Sequence, residues 1–286
     1  MGKFDGKICL IGGNLGKFKK DTFKIGLGGV IAKKIVEQGG QACIVDTDFA
    51  VTKACAEMIG GSVKAYECDF FTDRTYENED YVDDRGRNKT RVIWKNFPAL
   101  KMVNGIVEEF GKLDVLITNF DKFEQKRVDK TDIELFDYLR DQTVWPAFHL
   151  LSAVRDQLSN QRKTQGTYAK VVILTSMMGK AGMGAAAIWA AFKGSMIGLT
   201  KSLAREFGRF ANVNAVAMGP LSERKMQGPK DRVKGAYLTT SSDLSNQPMT
   251  FEKITPMVLL LASDDAIGIN GQSISVDGGL WLKLEQ

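Results

Sequence analysis

The sequence predicts an α/β fold: a single-domain, Rossmann-like, doubly wound parallel sheet with helices on both faces. Three observations carry that prediction. Seven short apolar or β-branched runs recur along the 286 residues, helical patterns separate most of them, and no repeat or low-complexity segment breaks the alternation. Runs that stay apolar along their whole length are those of strands covered on both faces, and right-handed crossovers then wind the sheet in two directions.

Taken in order, the strand runs are KICLIG (7–12), ACIVD (42–46), SVKAYE (62–67), LDVLIT (113–118), KVVILT (170–175), NVNAVA (212–217) and SISVD (273–277). Short apolar length and β-branching make each a strand. GGVIAKKIVEQGG (28–40), FDYLRDQTVWPAFHLLSAVRDQL (136–158) and AAIWAAFKGSMIGLTKSLAREFG (186–208) have helical spacing. Two segments exceed what a connection needs: a lysine-rich stretch at 14–25, expected to be a solvated loop, and an excursion at 74–97. A lid-like stretch follows at 221–248. His149, the single histidine, falls in an apolar helical stretch and is expected to be packed there.

Composition narrows the function. A net charge of +5 with acids interspersed does not make the basic stripe of a nucleic-acid binder, which leaves a small anionic ligand as the partner to consider. No apolar run reaches the length of a membrane span, and the start MGKFDGKICLIGG lacks the flanks of a signal peptide. A soluble, cytoplasmic protein is expected. The Met-Gly start lacks the Ser or Thr that myristoylation needs, since position 6 is Gly6. Cys9, Cys43 and Cys68 in strand-like runs and Cys55 in a helix form no CxxC pair and are expected to be buried thiols. No metal site is expected.

In a doubly wound sheet ligands bind at the carboxyl ends of the strands, so the motifs there matter most. The first strand runs into GGNLGKFKKDTFKIGLGG, a glycine-rich turn opening a helix, and the second ends at Asp46. Backbone N–H groups at a helix start can hold a pyrophosphate, and a carboxylate can take ribose hydroxyls. A triphosphatase loop does not fit: only three residues separate Gly12 from Gly16, and Phe18 stands where Ser or Thr would bind magnesium.

These segments, with CDFFTD, VEEFGKLDVLITN, TSMMG, KGSMIGLTKSLAREFG, VNAVAMGP and GINGQSISVDGGLWL, resemble the short-chain dehydrogenase/reductase family in order and nearly end to end. The resemblance implies hydride transfer between a nicotinamide and a carbonyl or alcohol carbon by a cooperating Asn, Ser, Tyr and Lys. Ser176 and Lys193 occupy the Ser and Lys slots. Trp189, thirteen residues after Ser176, holds the Tyr slot, and Thr143 the Asn slot. An indole N–H donates a hydrogen bond but does not titrate usefully, so Trp189 cannot replace a phenol as general acid or base.

The cofactor motif also departs from the family's pattern. Gly13 and Gly26 are separated by twelve residues where the family has three, with Gly28 following, and Thr118, Asn119, Phe120 and Asp121 stand where it has a small-residue turn. Asp46 and Asp69 resemble its adenosine-end residues, while Ser222 and Glu223 follow the VNAVAMGP segment. The reading is a catalytically inactive subunit that binds no cofactor itself, weak NAD binding being left open. It supports an active sibling that carries NAD and oxidises a hydroxyacyl-CoA-type alcohol. In the family the helices at about 136–158 and 186–208 form the oligomer interface, which implies a heterotetramer through Ala186, Ala187, Ala190, Ala191 and Gly194. Two other readings stand beside it: an active NAD(P)-dependent dehydrogenase with an unconventional acid/base, and a nucleotide or acyl-CoA binding module using the lysines at 17–24 and Lys225, Lys230, Arg232 and Lys234.

Overall fold

The computed structural model describes residues 2–72, 74–83, 85–221, 249–280 and 282. Its centre is a seven-stranded sheet of β1 (Ile8–Gly12), β4 (Gln41–Val45), β5 (Val63–Ala65), β8 (Val115–Thr118), β9 (Ala169–Ser176), β10 (Ala211–Met218) and β11 (Ser273–Val276). The spatial order is β11-β10-β9-β8-β1-β4-β5, with every neighbouring pair parallel. All seven strand runs are recovered, and the chain reverses its winding direction between β1 and β8.

Both faces are covered. Helices α3 (Pro98–Phe110), α5 (Trp145–Gln165) and α7 (Ala187–Phe207) pack on one, burying Ile106, Leu150, Val154 and Phe207. On the other, α1 (Leu27–Val36), α2 (Phe49–Ile59) and α8 (Phe251–Ala262) bury Ile31, Cys55 and Val258. Local chemistry sets the helix ends. Asp48 caps α2 by accepting from the N–H groups of Ala50 and Val51, and Gly111 ends α3 in a left-handed conformation at φ 78°. The stretch expected as one helix over 136–158 is two: α4 (Ile133–Thr143) gives way to α5 around Val144. Pro146 has no N–H to continue the ladder and is favoured in a first turn.

The two excess segments are ordered as antiparallel ribbons rather than loops. Residues 14–25 form β2 (Gly16–Lys19) and β3 (Thr22–Ile25); residues 74–97 form β6 (Thr75–Val82) and β7 (Asn88–Asn96). Acidic β6 and basic β7 tie themselves together through Arg91 to Glu79 (2.5 Å) and Lys95 to Glu77 (2.8 Å). The root of that ribbon is aromatic: the Arg74 guanidinium lies 4.8–5.6 Å from the ring centres of Phe148, Phe97, Trp94 and Trp145. The lid-like stretch at 221–248 falls, apart from Leu221, outside the described residues, with Ser222, Glu223, Lys225, Lys230, Arg232 and Lys234.

All four cysteines are buried free thiols, and burial pushes Cys43, Cys55 and Cys68 up to about 12. Cys68 lies past the end of β5 and not in a strand. Among the described residues no helix is long and apolar enough to cross a membrane, and no group of His, Cys, Asp and Glu is arranged to hold a metal.

Candidate functional site

The carboxyl ends of β8, β9 and β10 open on one cavity, bordered by Ser176, Met178, Met183, Trp189 and Lys193. Strand β9 delivers Ser176 to its rim, where the hydroxyl oxygen accepts from the Met178 N–H at 3.2 Å. Helix α7 delivers Trp189 and Lys193, one turn apart on the same face. Ser176, Trp189 and Lys193, three of the four slots, thus border a common space.

Asp121, from the segment after β8, organises this space. Its Oδ1 accepts from Trp189 Nε1 at 2.8 Å and from Lys193 Nζ at 2.9 Å. Lys193 Nζ also donates to the Phe120 carbonyl at 3.2 Å. Trp189 is 5 % and Lys193 1 % exposed, and the indole stands edge-on to Phe123 with ring centres 4.9 Å apart. A buried ammonium needs a counter-charge, and Asp121 supplies it from within the chain. The sequence identifies Asp121 only as a carboxylate in place of a small residue. Its partners are 68 and 72 positions away, and no local pattern reports such a pairing.

Thr143, in the Asn slot, is buried at the end of α4, and its Oγ1 accepts from the Lys122 N–H at 3.4 Å. It supports the segment carrying Asp121. Asn119 is buried; its N–H donates to the Gly12 carbonyl at 2.7 Å, and Nδ2 has no hydrogen-bond partner among the described residues.

At the other end of the cavity, the extra residues between Gly13 and Gly26 do not spread the glycine turn open. They leave it as the β2–β3 ribbon while its base closes: Gly26 N–H donates to the Leu15 carbonyl at 2.8 Å and Gly28 N–H to the Asn14 carbonyl at 3.0 Å. A Cβ on Gly28 would stand 2.3 Å from the Gly13 carbonyl, so the close approach of these glycines survives the insertion. Gly13 itself has φ 86° and lies under Phe120, whose ring and backbone would clash with any side chain there. Phe120 is buried against Phe70 with ring centres 5.3 Å apart.

Asp46 ends its strand as expected, but its carboxylate is engaged by the chain. It accepts from Leu15 N–H at 3.0 Å and from Thr47 N–H at 2.8 Å, and burial raises its pKa. Asp69 is exposed and turned onto its own loop, accepting from the N–H groups of Phe71 and Thr72; the Thr72 hydroxyl bonded to it lowers its pKa. The structure thus brings together Ser176, Trp189 and Lys193, holds Gly13, Gly26, Gly28 and Asp46 around the ribbon base, and leaves Asp69 apart.

Helix α7 divides its small residues between two faces. Ala186 and Ala190 are buried within the chain, and Gly194 packs against the Gly179 backbone. Of the five small residues expected at an interface, Ala187 and Ala191 are exposed, and Ser195, Gly198 and Ser202 continue their stripe at helical spacing.

Comparisons with known proteins agree with this fold. Residues 99–281 match the family model described as enoyl-(acyl carrier protein) reductase. The chain is 28 % identical to the 3-oxoacyl-[acyl-carrier-protein] reductase FabG of Staphylococcus aureus over 90 % of this chain and 94 % of that protein. It is 26 % identical to short-chain dehydrogenase reductase 5 of Arabidopsis thaliana, over 97 % of this chain and 95 % of that one. Among solved structures, a short-chain dehydrogenase/reductase from Burkholderia xenovorans superposes with a TM-score of 0.75 at 24 % identity, covering 99 % of each chain. A 3-ketoacyl-(acyl-carrier-protein) reductase from Brucella melitensis, solved with NADH, has a TM-score of 0.74 at 20 % identity over 96 % of this chain and 98 % of its own. At those identities the structural likeness speaks for the fold.

Proposed function

The chain belongs to the short-chain dehydrogenase/reductase family, and from that premise we propose that it is a non-catalytic member that supports an active sibling subunit. The observation that carries the proposal is the Asp121 carboxylate on both Trp189 and Lys193. A hydride-transferring site of this family needs a titratable proton donor beside a lysine whose charge is available. Here the donor position holds an indole, which does not titrate, and the lysine charge is neutralised beneath the surface.

The residues present do not fit a nicotinamide dinucleotide. Asp46, where a ribose would be held, is desolvated and bonded to the backbone of Leu15 and Thr47. Lys193, where the second ribose would be held, faces Asp121 and the Phe120 carbonyl. No step of the reaction is therefore assigned to this chain. In our reading the sibling binds NAD and oxidises a hydroxyacyl-CoA-type alcohol, an arrangement like that of the non-catalytic subunit of (hydroxy(phenyl)methyl)succinyl-CoA dehydrogenase in anaerobic toluene breakdown. The contact between subunits runs along the exposed stripe of Ala187, Ala191, Ser195 and Gly198 on α7, where small side chains let a second helix approach closely.

The test is turnover of the purified chain with NAD(H) and NADP(H) on a hydroxyacyl-CoA and its ketone. No turnover is expected, and activity abolished by Lys193→Ala would overturn the proposal. Co-expression with the sibling tests the support role: Ala191→Glu should break the complex, whereas Ala190→Glu damages this chain's own core. A full-mass complex with Ala191→Glu would remove α7 from the interface. One observation favours a second reading. Asp121 is itself a titratable group bordering the cavity, so an enzyme with a migrated base would lose its turnover in Asp121→Asn.

A further inference from the structure

The β2–β3 ribbon carries Lys17, Lys19, Lys20 and Lys24 within eight residues. Its register sets Lys17 directly opposite Lys24 and Phe18 opposite Phe23. Alternation along each strand then places Lys17, Lys19 and Lys24 on one face and the two phenylalanines on the other. Phe23 and Ile25 pack toward the core beside α1 and α2, while the three lysines are exposed. No carboxylate pairs with these three among the described residues. Like charges opposite one another on a ladder weaken it, so the ribbon keeps a surplus of positive charge that its own folding does not require.

A second observation sets the surplus near the cavity. The ribbon springs from Asn14, which has φ 53° and borders the cavity together with Met178, Met183, Trp189 and Met218. Lys17 is three residues further on, so about 11 Å of extended chain at most separates the cavity edge from the lysine face. A ligand that satisfies both ends carries several phosphate charges on one part and an apolar group on the other.

We infer that the ribbon and the cavity together bind a polyphosphorylated ligand with an apolar arm, the chemistry of a coenzyme A thioester. Lys17, Lys19 and Lys24 take the phosphates, and the arm lies among Met178, Met183 and Trp189. The inference rests on the non-catalytic reading above, because NAD also carries a diphosphate and would compete for the same face.

Calorimetry on the full-length chain separates the two. Coenzyme A, its benzoyl thioester and NAD are titrated at low salt and again at about 0.5 M salt, where exposed charges are screened. Coenzyme A should bind and weaken about tenfold or more at high salt. Its benzoyl thioester should bind about fivefold or more tighter through the apolar arm, and NAD should not bind measurably. Lys24→Glu should lower coenzyme A affinity about tenfold while the thermal midpoint holds or rises, since the change places an opposite charge across from Lys17. Met183→Asp should remove the gain from the benzoyl group and leave coenzyme A binding intact. Failure of both coenzyme A and NAD to bind overturns this inference alone, as does coenzyme A binding that Lys24→Glu leaves unchanged. NAD binding that Lys24→Glu weakens, with coenzyme A inert, overturns the inference and the non-catalytic reading together.

Discussion

The Asp121 cluster borders the cavity, the β2–β3 ribbon springs from Asn14 at the edge of that cavity, and the two treat charge in opposite ways. Around Asp121 a carboxylate, an ammonium and an indole N–H are brought together under cover, and each answers another. On the ribbon three lysines stand in solvent with no carboxylate paired to them among the described residues, two of them directly opposed. The β6–β7 ribbon shows that such a surplus is not a property of exposed ribbons, because there acidic and basic strands balance across the ladder. The difference teaches that a buried charge is answered from within the chain, whereas the ribbon, held by backbone register and its apolar face, tolerates like charges in solvent.

Breaking the buried cluster should have the largest effect. Asp121→Ala leaves the Lys193 ammonium buried without its counter-charge, and loss of one partner of a buried pair costs about 3–5 kcal/mol. Chemical denaturation should register that loss. A change under about 1 kcal/mol would mean that the pair is solvated, and Lys193 available, in solution.

A buried ionisable group with no counter-charge among the described residues sharpens the same contrast. His149 is fully covered, both ring nitrogens lack hydrogen-bond partners among the described residues, and burial, with the Arg74 charge adding to it, pushes its pKa down to about 4. The folded chain keeps His149 neutral, whereas the unfolded chain protonates it near the ordinary value of about 6.5. Its contribution is therefore intact above that value and is lost as pH falls from about 6.5 toward 4. The loss reaches about 3 kcal/mol at one pKa unit per 1.4 kcal/mol. Denaturation midpoints of wild type and His149→Phe should diverge across that window and run parallel above it. Parallel curves throughout would show that the imidazole reaches water.

The smallest effect belongs to the ribbon. Lys24→Glu should raise stability by about 0.2–1 kcal/mol by replacing a like-charged cross-strand pair with an opposite one. A fall in stability would show that the lysine face is structural, and the contrast between cluster and ribbon would disappear.

Much of this was legible in the sequence, and the parts that were share one character. Apolar runs marked the seven sheet strands to within a few residues, because a strand buried on both faces has little choice of composition. The interval from Ser176 to Trp189 placed both residues on the rim of one cavity, and the chemistry of an indole needs no coordinates. These follow from short-range periodicity and side-chain chemistry.

Only the tertiary structure decided the rest. The ribbon at 16–25 read as a loop and the one at 75–96 as an excursion because a register is a property of two strands together, and the long helix read over 136–158 divides where Pro146 enters. Small residues on α7 looked equivalent until packing turned Ala190 and Gly194 inward and left Ala191 outside. Asp121 meets Trp189 and Lys193 across some seventy residues of chain. Sequence patterns carry the preferences of a residue and its near neighbours, whereas the pairing of a buried charge is selected by the whole packed core, where leaving it unpaired would cost several kcal/mol.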